Sequence, residues 1–288
     1  MQAFPDWPLL PYASAARGGC CGPAVRLPGM YWTYYEVGGA AGWPPADPSL
    51  VPLTKEKKHL KIHGLQKMTL LDFPGRVACT VFLGQCDFRC PFCHNYELVD
   101  GSAPAIMDEE ELLSFLRKRQ GLLDGVAITG GEPCIHKGLS DLLGKIRELG
   151  FAVKLDTNGN HPAILEQILR EGLADYVAMD IKNSPDKYAV TIGLPQIDLS
   201  AVRESIRLIK GSGISYEFRT TVVDELHEAA DFEEIGRMIE GAEAYFLQCF
   251  TDRDSVPFGN LHAPSREKLE ACAEVVRPFV KQVDLRGV

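Results

Sequence analysis

From residue 61 onward, short β-branched runs alternate with amphipathic segments, and this alternation leaves the chain few architectures. Runs at 77–83, 126–129, 151–156, 176–180, 216–223 and 244–248 read as strands. Periodicity predicts helices over 107–118, 139–149, 162–171, 199–210, 231–239 and 265–279, with a last strand near 282–285. Asp108 is placed to cap the first helix, whose Leu112, Leu113 and Leu116 share one face, and Pro162 suits a first helical turn. Six strand–helix units imply an α/β fold with a parallel sheet and outer helices, and fewer than eight units imply an open, partial barrel. In such folds the functional rim lies at the C-terminal ends of the strands.

The loop after the first strand reads Gly84-Gln-Cys86-Asp-Phe-Arg-Cys90-Pro-Phe92-Cys93-His94-Asn95. Three cysteines this close on one irregular loop can converge on a cluster. A structural zinc site or an electron-transfer 4Fe–4S cluster takes four protein ligands, so three leave one iron open to substrate or cofactor. The bland alternative is ordinary free thiols in a reducing compartment. Further on, Val126-Ala-Ile-Thr-Gly130-Gly131-Glu132-Pro133 runs a buried strand into a Gly-Gly turn. Two glycines let a ligand approach the backbone, and the carboxylate beyond them can accept from an ammonium; the alternative is a plain turn with a capping glutamate. Asp156 and Thr157 end the third strand, and Asp180 and Lys182 follow the end of the fourth. Two carboxylates on one rim repel unless a cation lies between them. Capping of the next turn is the alternative for Asp156, and a solvated surface position that for Lys182.

The cysteine triplet with an aromatic residue before its third member, followed by Gly-Gly-Glu, resembles the radical S-adenosylmethionine (SAM) superfamily. Within it, His63-Gly-Leu-Gln-Lys-Met-Thr-Leu-Leu-Asp72-Phe-Pro-Gly75 and Cys93-His94-Asn95 resemble the anaerobic ribonucleoside-triphosphate reductase activating proteins, which are glycyl-radical activases. The resemblance spans roughly 61–287 and implies a partial (βα)6 radical SAM barrel. It implies a 4Fe–4S cluster on Cys86, Cys90 and Cys93, with SAM chelating the open iron. It assigns Phe92, His94, Asn95, Gly130, Gly131, Glu132, Asp156, Thr157, Asp180, Lys182 and Arg219 to the SAM surface. Glu132 would take the methionyl ammonium and Lys182 the carboxylate; Gly130 and Gly131 would leave room for the methionine, and Phe92 would pack on adenine. A monovalent cation near the strand-end carboxylates is also implied. Where some activases carry a histidine after the sixth strand, this chain has Gln248-Cys249-Phe250-Thr251, so contacts to the ribose are not carried over.

The implied partners are a glycyl-radical enzyme, first among them anaerobic ribonucleoside-triphosphate reductase, and a flavodoxin- or ferredoxin-type electron donor. No cysteine lies between Cys93 and Gly130, so the cysteine-rich insertion of larger activases is missing; this favours the reductase or pyruvate formate-lyase type. The rival readings are a radical SAM enzyme acting on a small molecule and, more distantly, a zinc module or electron carrier needing a fourth local ligand.

Other features narrow the context. The 288 residues, 45% hydrophobic and 24% charged, suit one soluble domain plus an appendage. Nine clustered cysteines read as metal use in a reducing cytoplasm. A net charge of −9 with no basic run argues against nucleic acid, and no apolar run of about 18 residues argues for a membrane span. Residues 1–54, rich in Pro, Gly and aromatics and without periodicity, read as an irregular extension that the catalytic domain, 55–288, does not need. Pro5, Pro8 and Pro11 make a poor signal peptide of its start, and the adjacent Cys20 and Cys21 make poor co-ligands of one metal. Cys79, Cys249 and Cys272 read as small buried hydrophobes, as Met238 and Phe279 read as core, whereas Cys134 could face the site.

Overall fold

A computed structural model of the protein describes residues 60–288. The extension read at 1–54, its boundary with the catalytic domain, and the pair Cys20 and Cys21 lie outside the described residues. The chain opens with β1 (Lys61–Thr69), which pairs antiparallel with β2 (Ala78–Leu83), Ile62 facing Leu83 and Thr69 facing Ala78. The cysteine loop and α1 (Tyr96–Asp100) follow, then β3 (Met107–Asp108) on the outer edge of β1, and α2 (Glu109–Arg117). From there β4 (Gly125–Gly130), α3 (Leu139–Glu148), β5 (Ala152–Thr157), α4 (Pro162–Arg170) and β6 (Tyr176–Asp180) alternate in turn. Short α5 (Tyr188–Thr191) precedes α6 (Ser200–Gly211), β7 (Ser215–Val222), α7 (Asp231–Met238), β8 (Tyr245–Cys249), α8 (Arg266–Val276) and β9 (Val283–Arg286).

The nine strands among the described residues form one sheet in the order β3-β1-β2-β4-β5-β6-β7-β8-β9. Every neighbour from β2 to β9 is parallel, and β3 and β9 end the sheet without meeting, as an open barrel requires. Residues such as Val81, Ile128, Leu155, Val177 and Leu247 are wholly buried because a parallel sheet is covered by its crossover helices. Asp108 caps α2 as expected: it accepts from Glu111 N–H at 3.0 Å while Glu111 accepts from Asp108 N–H at 2.9 Å. Cys79, Cys134 and Cys272 are buried and pack in the core, and Cys249 is half-buried against it. Met238 and Phe279 also pack against the core.

The strand β1 departs from the sequence expectation, which treated this stretch only as a motif-bearing approach to the barrel. Its residues alternate poorly because only Ile62 and Thr69 are buried, and it is a strand because β2 supplies its backbone partners. Similarly, α1 and α5 are too short to show a helical period.

Candidate active site

The link from β2 to α1 is shaped by backbone geometry. Gln85 adopts a φ of 67°, and its N–H donates to Leu98 O at 2.7 Å, folding the loop onto α1. Cys93 N–H donates to Cys90 O at 3.2 Å, so the last two cysteines share a tight turn, while Phe88 N–H points at Cys86 Sγ at 3.4 Å. All three thiols line one cavity of about 230 Å³. Burial pushes each of them up, Cys90 to about 12 and Cys86 further. Among the described residues no three His, Cys, Asp or Glu side chains converge on a single ion. The cysteines instead ring a shared space.

The Gly-Gly turn ends β4 directly against this loop. Gly131 N–H donates to Leu83 O and Glu132 N–H to Gln85 O, both at 2.8 Å. Gly130 has a φ of 121°, and a Cβ on either glycine would collide with backbone, that of Leu83 for Gly130 and the Gln85 carbonyl for Gly131. The expectation that these glycines make room for a ligand is therefore amended: both line the cavity, but the group that approaches them is the cysteine loop.

Glu132 is similarly committed to the protein. Its carboxylate accepts from Cys134 N–H (2.9 Å), Thr157 Oγ1 (2.8 Å) and Asn158 N–H (2.6 Å), tying the end of β4 to the end of β5. Burial pushes its carboxyl up to about 7, against the pull of these donors. Ionised, a carboxylate offers about four lone-pair sites, so three donors leave room for one more.

Across the rim, Arg219 on β7 lies between Asp156 and Asp180, the cation the sequence reading required. Its Nη2 is 3.1 Å from Asp156, and its Nε donates to Asp180. Buried Lys154 pairs with Asp156, and Lys182 Nζ donates to Asp180 at 2.8 Å, so Lys182 is not a free surface lysine. Burial opposes ionisation of both carboxyls, but Arg219 and its lysine neighbours hold them below the ordinary carboxylate range. The same pairing raises Lys182 against a burial effect of opposite sign. Two carboxylates face three cations, which leaves the patch with one positive charge in excess.

Every candidate residue from the sequence lines this one cavity: the three cysteines, Phe92, His94, Asn95, Gly130, Gly131, Glu132, Asp156, Thr157, Asp180, Lys182 and Arg219. Asn95 donates to Gly130 O at 3.2 Å. His94 stacks on Phe250 with ring centroids 5.6 Å apart, its Nε2 lying 2.6 Å from Thr251 O beside cavity-lining Gln248. Cys134 does not line the cavity. Sequence reasoning overlooked Asp87 and Asn158. Asn158 Nδ2 donates to Asp87 Oδ1 at 2.8 Å and lies 3.9 Å from Cys86 Sγ; Asn160 (2.7 Å) and His161 (3.0 Å) complete the shell around Asp87. Each adjoins a chosen residue in the chain, but only the fold brings them together.

A family model for the Radical SAM superfamily matches residues 80–239, the stretch that holds the cysteine loop after β2 and the ends of β4, β5, β6 and β7. The chain belongs to the Radical SAM superfamily. It is 27% identical over 235 residues to a Methanocaldococcus jannaschii protein named as a glycyl-radical enzyme activating enzyme, covering 79% of this chain and 96% of that one. A pyruvate formate-lyase-activating enzyme of Clostridium pasteurianum is 33% identical over 131 residues, 44% of this chain and about half (54%) of its own length. Among solved structures, Streptococcus suis SuiB bound to S-adenosylmethionine superposes with a TM-score of 0.54 at 14% identity over 70% of this chain and 48% of SuiB, a likeness of fold. Radical SAM membership implies a 4Fe–4S cluster and S-adenosylmethionine. The residues present fit a cluster: three thiols, Cys90 buried and Cys86 and Cys93 half-buried, line one cavity, burial opposes their ionisation, and iron supplies the positive charge that thiolates need. Among the described residues no helix is long and apolar enough to cross a membrane.

Proposed function

We propose that this radical SAM enzyme is a glycyl-radical activase, with Cys86, Cys90 and Cys93 as cluster ligands and an anaerobic ribonucleoside-triphosphate reductase as its partner. The observation that carries this reading is the single cavity in which the cysteine loop meets the ends of β4, β5, β6 and β7. Similarity along almost the whole length of a relative named for glycyl-radical activation supports the partner class. When bound, the reduced cluster supplies the electron that splits the sulfonium of S-adenosylmethionine into methionine and a 5′-deoxyadenosyl radical.

The chain's own residues bind and orient. Lys154, Lys182 and Arg219 together carry one charge more than Asp156 and Asp180, and Lys182 and Arg219 line the cavity where that excess suits the methionyl carboxylate, while Glu132 keeps one lone-pair site for the ammonium. Phe92, His94 and Asn95 line the part of the cavity assigned to adenosine. Fixing the cofactor this way converts a bimolecular encounter into a positioned one. A monovalent cation at this rim would compete with Arg219 for Asp156 and Asp180, so we expect potassium to modulate binding rather than to be required for it. The electron donor would be a flavodoxin or ferredoxin of the cytoplasm.

The hydrogen atom abstracted would come from a glycine Cα in the partner's C-terminal loop, leaving a glycyl radical there and 5′-deoxyadenosine as the product. Mixing reduced, reconstituted enzyme with S-adenosylmethionine and the cognate reductase should give a doublet paramagnetic signal. Deuterium at that Cα should change the signal and appear in 5′-deoxyadenosine. Efficient cofactor cleavage with no protein radical on any glycyl-radical partner would hand the reading to small-molecule chemistry.

A further inference from the structure

Asn158 directly follows the end of β5, and its buried side-chain amide is held from both sides. Its Oδ1 accepts from Asn160 N–H at 2.9 Å, and its Nδ2 donates to Asp87 Oδ1 at 2.8 Å. A backbone N–H can only donate and an ionised carboxylate can only accept, so these two partners fix which end of the amide is which. The amide nitrogen carries two hydrogens, and the bond to Asp87 uses one. The Cys86 sulfur, 3.9 Å from the same nitrogen, is the partner of the second.

The surroundings of that sulfur change character once it binds iron. As a thiol, Cys86 donates to Asp87 Oδ1 at 3.9 Å and accepts from Phe88 N–H at 3.4 Å. Iron takes the place of the thiol hydrogen, which leaves an anionic sulfur beside an anionic carboxylate. Two such charges repel, and a donor shared between them relieves both. Asn158 touches the sulfur and Asp87 Oδ1, whereas Asn160 (2.7 Å) and His161 (3.0 Å) serve the carboxylate through its other oxygen.

We propose that Asn158 is a positioning residue that donates its second amide hydrogen to the Cys86 sulfur when the cluster is bound, with Asp87 holding the amide in place, and that this bond raises the cluster's reduction potential. It rests on Cys86 being a cluster ligand. Hydrogen bonds to cluster sulfurs favour the more negative, reduced state, so removing one lowers the potential.

Asn158→Ala removes the amide, and Asn160→Ala removes a donor to the other Asp87 oxygen. Both should lower the melting temperature of iron-free protein, since each loses a bond to Asp87. After anaerobic reconstitution of the full-length chain, without S-adenosylmethionine, Asn158→Ala should bind iron and sulfide. Its midpoint potential should lie lower by about 59 mV, a tenfold change in the one-electron equilibrium, while Asn160→Ala keeps the wild-type value. In protein whose asparagines carry a heavy nitrogen isotope only at the side-chain amide, pulsed paramagnetic resonance of the reduced cluster should show coupling to that nitrogen. The coupling should persist in Asn95→Ala and Asn160→Ala and vanish in Asn158→Ala. An unchanged potential in Asn158→Ala would overturn the proposal, and so would an equal fall in Asn160→Ala, which assigns the effect to the charge on Asp87. If Asn158→Ala fails to fold or to take up iron, the coupling decides: its absence from the wild type or its loss in Asn95→Ala overturns the proposal, and its persistence in Asn95→Ala and Asn160→Ala upholds it. Wild-type protein that takes up no iron would instead overturn the ligand assignment, and this inference with it.

Discussion

Asp87 follows Cys86 in the chain, and its carboxylate gathers donors from Asn158, Asn160 and His161. Burial resists its ionisation, but these partners prevail and push the carboxyl down to about 2 from 3.8. A depressed acid contributes stability that is fully present above its unfolded value and is lost as pH falls through its folded one. In iron-free protein, Asp87→Ala should therefore cost about 2 kcal/mol at pH 7, with roughly half of that difference gone by pH 3. Urea denaturation at a series of pH values measures this, and a gap independent of pH would refute it. The role proposed for Lys182 concerns the ligand rather than the fold. Lys182→Ala should weaken S-adenosylmethionine binding by about 1.5–3 kcal/mol, roughly 10- to 150-fold, with iron content retained. Anaerobic calorimetry on the reconstituted variant checks it, and full affinity would mean that the carboxylate binds elsewhere.

Elements meet at this site through backbone, and the end of β4 is where the tolerance is smallest. A methyl group at Gly131 has to displace the Gln85 carbonyl or its own strand end, and two cross-loop hydrogen bonds go with it. Gly131→Ala should lower stability by about 1–3 kcal/mol, as overpacking does, and should reduce iron incorporation. The capping box of α2 provides the contrast. Asp108→Ala should cost a comparable ~1 kcal/mol yet leave iron content untouched, because α2 contributes no lining to the cavity. Thermal melts and iron analysis of both variants separate damage to the fold from damage to the site; equal iron loss in the two would mean that the β4 contact has no special role.

For the molecule as a whole, the apolar core and the cavity are separable. The core runs the length of the sheet from Ile62 to Val283, whereas the cysteine loop occupies one rim. Chelation of the metal should therefore leave the circular dichroism spectrum and a cooperative unfolding transition in place. Faster amide exchange should be confined to about 84–95 and the adjoining strand ends. Collapse of the sheet on iron removal would show that the cluster is a folding element.

Local periodicity was enough to read the six strand–helix units, because burial of parallel strands and of one helix face leaves its mark on each segment separately. The cysteine loop, the Gly-Gly-Glu turn and the strand-end carboxylates were legible for a related reason, since their chemistry is carried by residue types at close spacing. What the sequence could not show was whatever depends on partners distant in the chain. Strand β1 exists because β2 pairs with it, and the glycines at 130 and 131 are required by the backbone of residues 83–85. The cation between Asp156 and Asp180 is Arg219, some 39 residues beyond the nearer of them. Asp87 and Asn158 carry no motif at all. Composition and spacing determined the kind of fold and the kind of chemistry. Which donor meets which acceptor was left to the tertiary structure, because a buried polar group is satisfied by geometry that sequence neighbours do not supply.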